Sequence, residues 1–121
     1  MEVLGIDNVF LPVGDLEAAI TFYRDTIGLP VAKRFDAMGS ALFQVGKETP
    51  GLGVAETPSP RPGGQKIWFE VPDARAAAAE VTAAGVNPLS PPFLIPTGWV
   101  FEVVDPWGND LCFCEDGTLY T

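Results

Sequence analysis

Two polar residues, Asn8 and Lys66, occupy matching places in a sequence whose first half recurs loosely about 58 residues downstream. Each stands in an apolar, strand-like run, and each run leads to an aspartate that opens a helical pattern, Asp15 in the first copy and Asp73 in the second. Lys66 is a cation that could stabilise an enolate or bind a carboxylate, with Glu70 as its acid-base partner. The alternative to this functional role is that Lys66 is an ordinary surface residue at the start of a strand.

Two cysteines, Cys112 and Cys114, form the second group of residues that could take part in chemistry. They lie two residues apart in a strand-like run, so they project to one face and are poorly placed to bridge each other. As thiolates they could bind a soft metal, but the sequence contains no histidine to join them. A role as small buried apolar residues is favoured. Unbridged cysteines suit a reducing compartment, so we expect a cytoplasmic protein.

Length and charge limit the possible functions. With 121 residues, 47% of them hydrophobic, the chain can bury a core but has room for one compact domain. The repeat therefore predicts two half-domains. A net charge of −9 disfavours nucleic acids and anionic membranes, whose binding needs clustered Lys and Arg, and favours small cationic or neutral ligands. No 18-residue apolar run or signal peptide is recognised.

The first half predicts a strand, a helix and three strands. Apolar residues recur at helical spacing from Asp15 to Ile27, with Asp15 as N-cap and Gly28 as the stop. A strand over residues 4–13 precedes this helix, and turn-rich joints separate the shorter strands that follow it. Those three strands are predicted over residues 30–36, 40–46 and 51–56.

The second half predicts the same order again. A Pro- and Gly-rich linker, residues 58–64, leads to a strand over 65–71 and an alanine-rich helix over 73–84 that Gly85 ends. Asp105–Asn109 reads as a hairpin turn, and residues 87–98, with four prolines, form a loop of the kind that borders binding sites. The remaining strands are predicted over 86–89, 98–104 and 110–115. The fold class is α+β: tandem βαβββ modules over about 1–57 and 65–121.

Four segments carry a resemblance to a known family. Residues 13–29, VGDLEAAITFYRDTIGL, resemble the first-helix signature of the vicinal oxygen chelate superfamily, which includes glyoxalase I, extradiol dioxygenases, fosfomycin-resistance proteins and bleomycin-binding proteins. Phe69–Asp73, Ala83–Val86 and Asp105–Asn109 resemble the signatures of its second half. The resemblance covers essentially the whole chain. It implies a curved mixed sheet around a cleft, and commonly a homodimer.

The resemblance also implies where a metal would bind. Metal-dependent members place a histidine on the first strand of each module and a glutamate on the last strand of the second; here Asn8, Lys66 and Cys112 stand at those positions. An amide oxygen is a weak ligand and an ammonium has no lone pair. Glu56, near the place of a further carboxylate in some members, is interpreted as a solvated strand-end residue. We therefore predict no metal and no cofactor.

Strand alternation supplies the other candidates for the cleft. If Asn8 and Lys66 face it, Phe10, Trp68 and Glu70 do so too. In the seventh strand, either Trp99, Phe101 and Val103 or Val100, Glu102 and Val104 face it, and we favour the aromatic set; a core or interface role for these aromatics is the alternative. The predicted ligand-binding residues are Asn8, Phe10, Lys66, Trp68, Glu70, Trp99, Phe101 and Cys112.

These observations favour a metal-free binding protein, similar to the bleomycin-binding branch, that sequesters a small aromatic or cationic molecule. The alternative is a lyase, isomerase or dioxygenase-like enzyme of the same superfamily. It would use Lys66 and Glu70, or a metal site that the sequence does not reveal.

Overall fold

A computed structural model of the chain describes residues 1–4, 6–47 and 49–115. The chain divides into two compact units, Met1–Pro62 and Gly63–Thr121. Each unit contains a strand, a helix and three further strands that form one four-stranded mixed sheet. The predicted α+β fold with tandem βαβββ modules is therefore confirmed. No helix in the described ranges is long and apolar enough to cross a membrane.

The helices and strands of the first unit are, in chain order, β1 Asn8–Val13, α1 Leu16–Ile20, π-helix Thr21–Thr26, β2 Val31–Phe35, 3₁₀ turn Asp36–Met38, β3 Ser40–Val45 and β4 Thr49–Glu56. The helix α1 continues directly into the π-helical segment. The strand order in the sheet is β1-β4-β3-β2, with β1 parallel to β4 and the other pairs antiparallel.

The second unit repeats this topology from β5 to β8, in the strand order β5-β8-β7-β6 with β5 parallel to β8. The bounds are β5 Lys66–Val71, α2 Ala74–Ala83, β6 Phe93–Ile95, β7 Gly98–Val104 and β8 Asp110–Glu115. The predicted strand over residues 86–89 is wrong, because β6 begins at Phe93. Prolines at 88, 91 and 92 offer no N–H to a ladder.

Local signals at the helix ends act as predicted. The Asp15 carboxylate accepts a hydrogen bond from the Ala18 N–H at 2.8 Å, and Asp73 accepts one from Ala76 at 3.0 Å. Past the helical segments, Gly28 has φ +92° and Gly85 has φ +93°. Only glycine adopts that left-handed conformation without strain.

A second carboxylate caps each helix from the end of a strand. Glu56, the last residue of β4, accepts a hydrogen bond from the Leu16 N–H at 2.9 Å. Glu115, the last residue of β8, accepts one from Ala74 at 2.9 Å and another from the Trp99 N–H at 3.3 Å. Glu56 is exposed, as expected, but it also satisfies a helix N–H that would otherwise lack a partner. The helix start and the strand end are thus fixed together in each unit.

Aromatic side chains dominate the packing beneath each helix. In the first unit, Tyr23 and Phe43 are fully buried with ring centroids 5.6 Å apart. In the second, Phe113 stacks between Phe69 and Phe101, at 5.2 and 4.9 Å. Small buried residues of α2, Ala74, Ala78 and Val81, allow that helix to lie close to the sheet.

Replacing the strand-end glutamate of the second unit tests its capping role. Glu115→Ala should lower the free energy of unfolding by about 1–3 kcal/mol, because charge-assisted bonds to two backbone N–H groups are lost. Urea denaturation gives this value, with Glu80→Ala on the exposed side of α2 as the control. Equal stabilities of the two variants would contradict the role.

Candidate functional site on the distal face of the second sheet

The strand register of the second sheet determines which side chains share a face. β8 lies between β5 and β7, and its pairing aligns three rows across these strands. We call the face that points away from α2 the distal face. Its rows are Lys66, Asp110 and Val104; Trp68, Cys112 and Glu102; and Glu70, Cys114 and Val100.

Lys66 forms an ion pair across the distal face. Its Nζ lies 3.1 Å from the Glu102 carboxylate, and the two side chains are 40% and 20% exposed. The hydrogen bond to Glu102 raises the pKa of Lys66, with the nearby Cys112 and Asp110 acting in the same direction. Lys66 is therefore an ammonium at neutral pH, unable to ligate a metal or act as a general base. The sequence interpretation gave this lysine the wrong partner, since Glu70 lies two rows away on the same strand.

Cys112 lies in the middle row of the distal face and is buried, with 3% of its surface exposed. Burial, and then the Glu102 carboxylate, raises the pKa of its thiol to about 11, although Lys66 acts in the opposite direction. Burial also raises the pKa of Cys114. Both cysteines are free, as predicted, and both are protonated at neutral pH. They are thus poor metal ligands and poor nucleophiles.

Trp68 provides the large apolar surface of the distal face. Its side chain is 52% exposed, and it stands in the same row as Cys112 and Glu102. An exposed indole can stack on a planar ligand, and its ring face attracts cations. The distal face therefore combines a stacking surface with neighbouring charges.

The preference for the aromatic set of β7 on this face is wrong. Trp99 and Phe101 lie on the side of the sheet that faces α2, and Phe101 is fully buried in the stack with Phe113. Val100, Glu102 and Val104 take the distal face instead. Apolar residues stand on both faces of this strand, so alternation alone does not show which set of side chains faces α2. The useful signal was Glu102, a charge that needs solvent or a partner.

The first unit carries its own pair of candidates on the corresponding face of its sheet. Asn8 is partly buried, and its amide donates a hydrogen bond to the Asp7 carboxylate at 2.7 Å. The ring of Phe10 is 47% exposed and lies over Gly53, where an added Cβ would come within 2.8 Å of it. Phe10 thus has the same place in its sheet as Trp68 has in the second.

The residues at the positions implied for metal ligands do not fit a divalent metal. Asn8 offers an amide, Lys66 an ammonium held by Glu102, and Cys112 a protonated thiol. Within residues 1–4, 6–47 and 49–115, no group of three His, Cys, Asp or Glu side chains could hold a metal ion. A Lewis-acid site of the usual kind needs about three ligands with available lone pairs.

The sequence and the fold together define the class of protein. Residues 5–113 match the profile of the Glyoxalase/Bleomycin resistance protein/Dioxygenase superfamily. This chain belongs to that superfamily. None of the curated proteins matches the sequence.

Solved structures agree with this assignment. TnmS3, an antibiotic binding protein from Streptomyces sp. CB03234, is 25% identical with a TM-score of 0.80, covering 96% of this chain and 98% of its own. A superfamily member from Sphaerobacter thermophilus is 25% identical with a TM-score of 0.77, covering 94% and 98%. Lactoylglutathione lyase from Agrobacterium tumefaciens is 22% identical with a TM-score of 0.66, covering 95% and 96%, and shares the fold.

The protonated state of Cys112 can be tested by alkylation. At pH 8, iodoacetamide should modify it on the order of 100-fold more slowly than a cysteine in an unstructured peptide, because so little thiolate is present. The rate should rise as the pH approaches about 11. Mass spectrometry of the Cys114→Ser variant isolates this thiol, and the same variant in urea is the control. Equal rates in the folded and unfolded protein would contradict the raised pKa.

Proposed function

We propose that this protein binds a small aromatic or cationic molecule without converting it, and that the distal face of the second sheet contacts the ligand. The observation that carries the proposal is the half-exposed Trp68 beside the Lys66–Glu102 ion pair. Apolar surface with a few placed charges is the usual composition of a small-molecule site.

The charges of the distal face favour a cation. The three rows of the distal face contain three carboxylates, those of Glu70, Glu102 and Asp110, and one ammonium, that of Lys66. Because Lys66 pairs with Glu102, the negative charges of Glu70 and Asp110 are left without a cation in these rows. The net charge of −9 over the chain acts in the same direction at longer range. A planar cation could therefore stack on Trp68 and be attracted by the surrounding charge.

The similarity to TnmS3 supports binding rather than catalysis, since that protein is described as an antibiotic binding protein. The chemistry of the site points the same way. Lys66 is held as an ammonium by Glu102, and the Cys112 thiol is protonated. Neither residue has the properties of an activated base or nucleophile.

Cys112, which lies in the row of Trp68, is kept as a proposed ligand contact of the second unit. In the first unit, taken by itself, Asn8 and Phe10 are the proposed ligand contacts, on the matching face of its own sheet. We also propose a homodimer. Light scattering should then give twice the chain mass of 12.9 kDa.

Substitutions on the distal face test the binding proposal. A panel of planar cationic antibiotics, screened by thermal shift, should include compounds that stabilise the protein. For these, Trp68→Ala should weaken affinity about tenfold or more, and Glu70→Gln by a few-fold, because stacking and charge attraction are lost. Calorimetric titration measures both effects.

Glu80→Gln, on the exposed side of α2, is the charge-matched control and should leave affinity unchanged. Absence of any thermal shift across the panel, or equal affinity in Trp68→Ala and the original protein, would contradict the proposal.

The enzyme alternative predicts a different result for metal content. If a metal-dependent lyase or dioxygenase were formed through ligands other than those expected, purified protein would carry a divalent metal in stoichiometric amount. Because Asn8, Lys66 and Cys112 are poor metal ligands, we expect far less than one metal ion per chain. Elemental analysis of protein purified without chelators decides between the two, and a full equivalent that Glu56→Ala removes would overturn the proposal.

A further inference from the structure

A groove lies on the opposite side of the second unit from the distal face, next to α2. It has a volume of about 940 Å³ and lies between this helix and residues 87–92, with Trp99 at its floor. Ala79, Thr82 and Ala83 form one wall, Leu89 and its neighbouring prolines form the other, and Arg75 lies beside Trp99. Its size is within the range of small-molecule sites. It is distinct from the distal face, because Trp99 points to the opposite side of the sheet.

The walls of the groove are held in place by hydrogen bonds. The Leu89 N–H donates to the Glu102 carbonyl at 2.9 Å, which fixes the proline-rich segment beside β7. The Thr82 hydroxyl donates to the Ala78 carbonyl at 2.9 Å, so its proton is used within the helix and its side chain is oriented by this bond. Prolines restrict the opposite wall further. The groove is thus formed before any ligand arrives, which lowers the entropic cost of binding.

Arg75 supplies the charge in this groove. Its guanidinium lies over the Trp99 ring, with the central carbon 4.5 Å from the ring centroid, and it makes no ion pair with any residue that the structure describes. Two carboxylates at the start of α2 are already engaged, because Asp73 and Glu115 accept hydrogen bonds from backbone N–H groups of that helix. A guanidinium without an ion-pair partner has N–H groups available, and these match the two oxygens of a carboxylate.

We propose that this groove is a second binding site, for a small aromatic carboxylate. Arg75 binds the carboxylate, and the aromatic part packs on the alanines of α2 and on Trp99. This ligand is opposite in charge to the one expected at the distal face. The groove proposal therefore does not depend on the proposed function.

Calorimetric titration with 2-naphthoate and its uncharged analogue 2-naphthamide tests this site. Arg75→Gln should weaken naphthoate binding about tenfold or more and leave naphthamide binding nearly unchanged, because only the carboxylate loses a charged partner. Ala83→Leu, a groove-filling variant, should weaken the binding of both, because its larger side chain takes up part of the groove beside Trp99. Ala79→Leu is a second groove-filling variant, in case the first is unstable.

Ala76→Leu places the same added volume on α2 outside the groove and should bind both compounds as the original protein does. Trp68→Ala should also bind naphthoate normally, which separates this site from the distal face. The proposal is overturned if the original protein binds no naphthoate at about 1 mM. It is equally overturned if Arg75→Gln or both groove-filling variants bind it with unchanged affinity.

Discussion

The burial of three stacked phenylalanines, Phe69, Phe101 and Phe113, is the constraint on which the second unit depends. They come from three neighbouring strands and must all face α2, where water is excluded. Side chains alternate along a strand, so this requirement sends Lys66 and Trp68 to the opposite face. A register slip of one residue would reverse the arrangement and expose the aromatic stack. The candidate site thus follows from the packing of the core.

The two copies of the repeat share the interactions that fix each helix to its sheet, while the residues on the exposed face of each sheet differ. Each helix is capped twice, by the aspartate that precedes it and by a glutamate from the last strand of its sheet, Glu56 or Glu115. Carboxylates suit these positions because the first N–H groups of a helix lack partners and carry partial positive charge. By contrast, Asn8 and Lys66 differ in charge and in partner. The superfamily scaffold is retained, and the positions that the family resemblance implies for metal ligands carry an amide, an ammonium and a thiol.

Features that depend on a few neighbouring residues could be predicted from the sequence. Asp15 and Asp73 are recognisable as caps because the sequence signal for a cap is local, and the fold class follows from the repeat. The set of β7 side chains that faces α2 could not be predicted, because apolar residues stand on both faces of this strand. The ion pair of Lys66 with Glu102 spans two strand spacings, so no short sequence pattern records it.

We propose that a planar cation binds the distal face of the second sheet at Trp68. Two-dimensional ¹H–¹⁵N spectra report directly on binding there, since the chain has three tryptophans and each indole N–H gives its own signal. The Trp68→Phe variant assigns the relevant signal. Titration with a cationic aromatic ligand is predicted to shift the Trp68 indole signal while those of Trp99 and Trp107 stay in place. Saturable binding that moves the Trp99 or Trp107 signal and leaves the Trp68 signal unchanged would show that the cation does not bind at Trp68.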